Sequence, residues 1–165
     1  MPKLLDEKNV DMLTRHKVYS KPELESRYEI LLENYHKTVH IEAETMLNMA
    51  RKEIMPAVSA YEADLSKALN AKKAAAPGAA CGYETKLISK LAALEDQIDE
   101  AADALEEAVA EYKKLSDVTK AAMCIKDSII PKMDALRAPC DEAETVTAKS
   151  YWPFPTYGDL LFGVR

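Results

Sequence analysis

Glycine is scarce in this chain: four residues in 165, at 78, 82, 158 and 163. Such spacing excludes a glycine-rich phosphate cradle. Basic residues are also in deficit, 22 Lys and Arg against 28 Asp and Glu, for a net charge of −6. Acidic and basic residues interleave along the whole chain, so no patch offers the clustered cations that nucleic acid requires. Long apolar runs are missing too. The longest uncharged stretch, Ala74 to Tyr83, contains Pro and Gly, so no membrane span and no signal peptide is read, and a cytoplasmic location is the simplest expectation. Cysteines number three, at 81, 124 and 140. That odd count without metal spacing fits reduced thiols rather than a disulfide framework.

What is present is the composition of long helices. Apolar residues make up 48% of the chain, enough for one domain with a core, and Ala, Glu, Lys, Leu and Asp dominate, which predicts an all-α fold. A short first helix is signalled by Leu4, Leu5, Val10, Met12 and Leu13. The string "RHKVYSKPE" then ends it and starts another, because Ser20 with Glu23 makes a capping box, Pro22 sits in the first turn, and Tyr19 with Leu24 matches a hydrophobic staple. From Ser20 apolar residues recur at 24, 28, 31, 35, 39, 46, 50, 54, 58, 61, 65 and 69, three or four apart in nearly every case, with Pro56 as the one blemish. This helix extends about 80 Å at 1.5 Å per residue. "AAAPGAACGY" breaks it as a small-residue loop.

The next segment has the clearest period. Leu87, Leu91, Leu94, Ile98, Ala101, Leu105, Ala108, Tyr112 and Leu115 alternate steps of four and three, a heptad seam. Near "KKLSDVTK" the chain reverses with Ser116 or Asp117 as cap, and a further helix runs to about Lys149, interrupted at Pro131 and bent or frayed at Pro139. The expected architecture is an antiparallel bundle of three main helices with a short N-terminal helix over 1–150, and an extended aromatic tail over 151–165. "RKEIMPAVSAY" and "KDSIIPKMDAL" resemble each other at an offset of 75 residues, which is also the offset of this three-helix layout, so Pro56 and Pro131 are expected side by side. In that register the later helices cover only residues 42–73 of the long one. Residues 23–39 then project, and Tyr28, Leu31 and Tyr35 among them need cover.

The tail "YWPFPTYGDLLFGVR" concentrates the only Trp and both Phe of the chain with Tyr151 and Tyr157. Prolines 153 and 155 exclude a regular helix there, so it is read as extended on another surface. Trp152, Phe154, Tyr157 and Phe162 join Tyr28, Leu31 and Tyr35 as interface candidates. On this reading, loss of the tail leaves the bundle's melting nearly unchanged.

Catalytic constellations are weak. His36, His40 and Glu44 lie at steps of four, joined by Glu33 at a step of three, a stereochemically feasible metal cluster that reads better as surface ion pairs. The carboxylates of "EDQIDEAADALEE" flank the heptad seam as a solvated face. Cys124 reads as packing and Cys81 as a loop thiol. No Ser/His/Asp set can be assembled, and no catalytic, cofactor-binding or metal residue is assigned.

"ELESRYEILLENY", "ARKEIMPAVSAY", "MDALRAP" and above all "YWPFPTYGDLLF" resemble the C-terminal region of type III glutamine synthetases. The resemblance implies a parent enzyme that joins ammonia to glutamate through a γ-glutamyl phosphate, with ATP and Mg, in stacked hexameric rings. It implies that the nucleotide, metal and glutamate ligands lie in a preceding catalytic region, and that the partners of this chain are that region and neighbouring subunits. Without β-rich or catalytic motifs the chain reads as an excised domain unable to synthesise glutamine. Two other classes remain open: a free-standing cytoplasmic helical adaptor, and a metal-binding bundle, which stoichiometric metal at His36 and His40 would favour.

Overall fold

The capping box predicted at Ser20 is formed. The Glu23 carboxylate accepts from both the backbone N–H and the hydroxyl of Ser20, each at 2.7 Å. It begins a helical run that the computed structural model, which describes residues 2–163, carries unbroken to Ala75. The described residues are helical with no strand. A 3-10 turn (Pro2–Leu5) and α1 (Glu7–Arg15) precede the run, and α2 (Lys21–Met49), a π-helical turn (Ala50–Ile54) and α3 (Met55–Ala75) make it up. After the small-residue loop come α4 (Gly82–Tyr112), α5 (Val118–Cys124), a second π-helical turn (Ile125–Ile129) and α6 (Ile130–Val146). A last short helix, α7, spans Tyr157–Phe162.

Each π-helical turn stands just before a proline at the second position of the next helix, Pro56 or Pro131. Proline lacks the N–H that would bond four residues back, and its ring collides with that carbonyl. Widening the turn to five residues moves the carbonyl away and keeps the helix continuous. Pro56 and Pro131 therefore do not interrupt their helices. Pro139 is likewise accommodated inside α6, neither fraying nor ending it.

α4 lies between the other long elements. Arg51 reaches Asp103 and Glu106 at 2.5 and 2.6 Å, Lys113 reaches Glu44 at 2.6 Å, and Lys72 pairs with the buried Glu84. Partners on α4 thus fall in number as those on α2 and α3 rise, so the two runs have opposite senses. On the other flank Lys90 pairs with Glu142 at 2.9 Å. Leu91, Leu94, Ile98, Leu105, Ala108 and Tyr112 of the heptad seam are buried, and Ala102 and Val109 widen it because α4 packs against α3 and α6. Leu115 falls outside the helix and is exposed. Asp117 is the cap of α5, accepting from the Lys120 N–H at 2.8 Å.

Tyr151 lies beyond the end of α6, with its ring 5.1 Å from that of Tyr61 and its hydroxyl donating to Asp64 at 2.6 Å. At the other end of the bundle the last residue of α4, Tyr112, reaches His36 and His40. All three cysteines are free thiols, and burial pushes that of Cys140 up to about 11.

Residue Lys17 takes a left-handed backbone (φ 55°) after α1, with its N–H bonded to Thr14 and that of Val18 to Leu13, each at 3.0 Å. This is the Schellman closure that glycine makes without steric strain. Lys17→Gly should raise stability by about 0.5–1 kcal/mol in a urea titration.

Candidate interaction surface

The first candidate surface is the arm of α2 beyond the reach of α4. The 3-10 turn and α1 fold against it, and Leu24 and Leu32 are buried outside the main core cluster. Steps of four from Leu24 place Tyr28, Leu32 and His36 inward. Leu31 and Tyr35, which the sequence pattern set on the seam, are instead 40% and 38% exposed, and Ile30 is 52% exposed. Pro22, Glu23, Ser26, Arg27, Ile30 and Leu31 line a shallow cleft of about 560 Å³ along this open face.

The second surface is the tail, and it divides in two. Trp152 and Phe154, with rings 6.2 Å apart and edge to face, are partly buried against the chain's own core. The tail is extended only up to Thr156. That residue caps α7, its N–H and hydroxyl donating to Asp159 at 2.9 and 2.6 Å. Lys149 pairs with the same carboxylate at 2.7 Å, and Lys149 and Thr156 hold Asp159 well below the usual carboxylate range. The helix so fixed presents Tyr157, Leu160, Leu161 and Phe162 to solvent, with Tyr157 and Phe162 78% and 84% exposed.

Residues 1–73 match the glutamine synthetase C-terminal domain family. A glutamine synthetase of Butyrivibrio fibrisolvens is 36% identical over 165 residues, all of this chain and 24% of the relative. The similarity is to the C-terminal part of glutamine synthetases. A type-3 glutamine synthetase of Dictyostelium discoideum is 26% identical over 164 residues, 94% of this chain and 22% of the relative. The chain therefore spans about a quarter of the length of these curated relatives.

The seven interface candidates do not form one patch. Tyr28 is half-buried, Leu31 and Tyr35 are open on the arm, Trp152 and Phe154 are engaged by the bundle, and Tyr157 and Phe162 are open on α7. Leu160 and Leu161 were not singled out from sequence, although Thr156-x-x-Asp159 is a capping-box signal that could have placed them on a helix. Among the described residues no membrane-spanning helix occurs.

The metal that glutamine synthetase implies has no fitting donor set here. Among the described residues no three His, Cys, Asp or Glu side chains are grouped to hold an ion. Glu33 is paired with Lys37, the buried His36 lies 2.6 Å from the Tyr112 hydroxyl, and Glu44 is paired with Lys113 and sits 3.6 Å from His40. His36 is thus no surface ion-pair residue. No step of ligase chemistry is assigned to these side chains.

Proposed function

We propose that this chain is a non-catalytic C-terminal packing domain of an ATP-dependent glutamate–ammonia ligase: an antiparallel bundle of three main helices and a short N-terminal helix. It docks on the catalytic region of the same subunit and on neighbouring subunits of a ring-shaped homo-oligomer. The observation that carries this reading is the apolar surface left open on α7, where Tyr157, Leu160, Leu161 and Phe162 are all exposed on a helix that Thr156, Asp159 and Lys149 hold in place. Contiguous exposed apolar side chains of this kind mark contact surfaces. Ile30, Leu31 and Tyr35 on the arm form a second such surface. ATP and magnesium then belong to the catalytic region, and a cytoplasmic location goes with the reading.

Calorimetric titration of this chain against the separately expressed preceding region of its parent should give saturable binding. Tyr157→Ser, Leu161→Ser and Phe162→Ser together should weaken that binding by at least about tenfold, the loss of roughly 1.4 kcal/mol or more of buried apolar contact. Equal affinity of the triple variant and the unchanged chain, or glutamate- and ammonia-dependent ATP hydrolysis by this chain alone, sinks the proposal.

A further inference from the structure

At the end of α4 a polar cluster sits inside the bundle that the docking reading does not use. The Tyr112 hydroxyl lies 2.6 Å from His36 Nδ1, and the rings of Tyr112 and His40 are 4.8 Å apart. His36 and Tyr112 are both buried. The contact joins residues 76 apart in sequence, at the point where α4 stops and the chain turns through residues 113–117 to α5. The charged and titratable groups around it are Glu33, Lys37 and His40 on α2, Lys113 and Glu111 on α4 and its end, and Cys124 on α5. Glu33 is committed to Lys37 and Glu44 to Lys113. Glu33, although paired with Lys37, still favours a charge on His36, but burial outweighs it, and Lys37 and His40 oppose that charge as well.

We propose that the His36–Tyr112 contact is a proton-operated latch, fastening the end of α4 and the turn behind it to the long helix near neutral pH and loosening them in acid. With His36 neutral and its proton on Nε2, Nδ1 accepts the Tyr112 O–H. Protonation at Nδ1 reverses that bond, so that the imidazolium donates to the Tyr112 oxygen and the hydroxyl proton turns to the His36 backbone oxygen 3.5 Å away, and it leaves a buried cation beside Lys37, whose cost loosens the packing there. Burial, the largest cause, already lowers the His36 pKa from its ordinary value. The sign follows directly. The unfolded chain takes up its proton near the ordinary histidine pKa, the folded one only at lower pH, so stability is complete above about pH 6.5 and is lost as pH falls through the folded value.

The test uses the whole 165-residue chain. NMR titration of the ring should place His36 below an ordinary histidine, and amide exchange around residues 108–118 should speed up between pH 7.5 and 5, after correction for intrinsic rates, by about tenfold for each unit of depression. His36→Gln, whose carbonyl can accept from Tyr112 without titrating, should remove that pH dependence, whereas His40→Gln should keep it. Tyr112→Phe, which deletes the donor, should move the His36 titration upward. The latch is refuted if His36 titrates at or above the ordinary value, if His36→Gln keeps the unchanged chain's pH dependence, or if acid speeds exchange equally throughout the helices. None of these readouts involves the catalytic region, so the docking proposal and the latch fail independently.

Discussion

Replacing Trp152 and Phe154 together by alanine should lower the unfolding free energy of the chain by about 3–5 kcal/mol, read from urea titrations of both forms. Each ring is half-buried against the core formed around α3, α4 and α6. A large apolar side chain contributes roughly 1.5–3 kcal/mol when fully buried, and truncation adds the cost of the space left behind. Tyr151 reinforces the contact through Tyr61 and Asp64. Removing residues from Pro155 onward should instead change stability by no more than about 0.5 kcal/mol, because among the described residues α7 is tied down by the exposed Lys149–Asp159 pair and its own cap. The expectation that the whole tail can go without affecting melting is thereby replaced by a division near Phe154. A double alanine variant as stable as the unchanged chain would show that these rings are not part of the core.

The second large effect concerns the heptad seam. Leu105→Ala should cost about 3 kcal/mol, within the 2–5 kcal/mol typical of a fully buried leucine, since Leu105 has no solvent exposure two turns inside the end of α4. Leu115→Ala should stay within about 0.5 kcal/mol. Both residues fall on the seam by spacing, but α4 ends at Tyr112 and leaves Leu115 in the turn. Comparable losses from both substitutions would mean that the seam continues through the turn.

Local rules made much of this fold legible. Ser20 and Glu23 announced a helix start because their side chains satisfy each other's backbone donors, and Asp117 did the same for α5. The α4 seam was readable because helix period and heptad period nearly coincide. What spacing could not supply was the end of α4, which stops where Tyr112 finds His36. The same contact draws His36 inward and sets Leu31 and Tyr35 outside, one position from where the apolar pattern put them. A polar residue on a buried face is invisible to a pattern built from apolar residues. On the surface, the exposed arm and aromatic tail were legible as candidates, but the division of the tail required knowing that Trp152 and Phe154 fill space beside the core while Thr156 starts a new helix.

The two π-helical turns bear on how this chain can change over generations. Ala50, Ile54 and Val58 are buried at two successive steps of four, and so are Ala121, Ile125 and Ile129. In an unmodified α-helix each such step overshoots a full turn by about 40°, so the third residue would stand about 80° from the first. The wider π turn absorbs the overshoot. Each therefore holds the equivalent of one inserted residue, and an accompanying loss of Pro56 or Pro131 would let a lineage delete that residue while the buried face stays aligned. A deletion elsewhere in α2 would turn the two parts of the helix about 100° against each other. It would put Ile30, Leu31 and Tyr35 on a different side of the bundle from the one they now occupy.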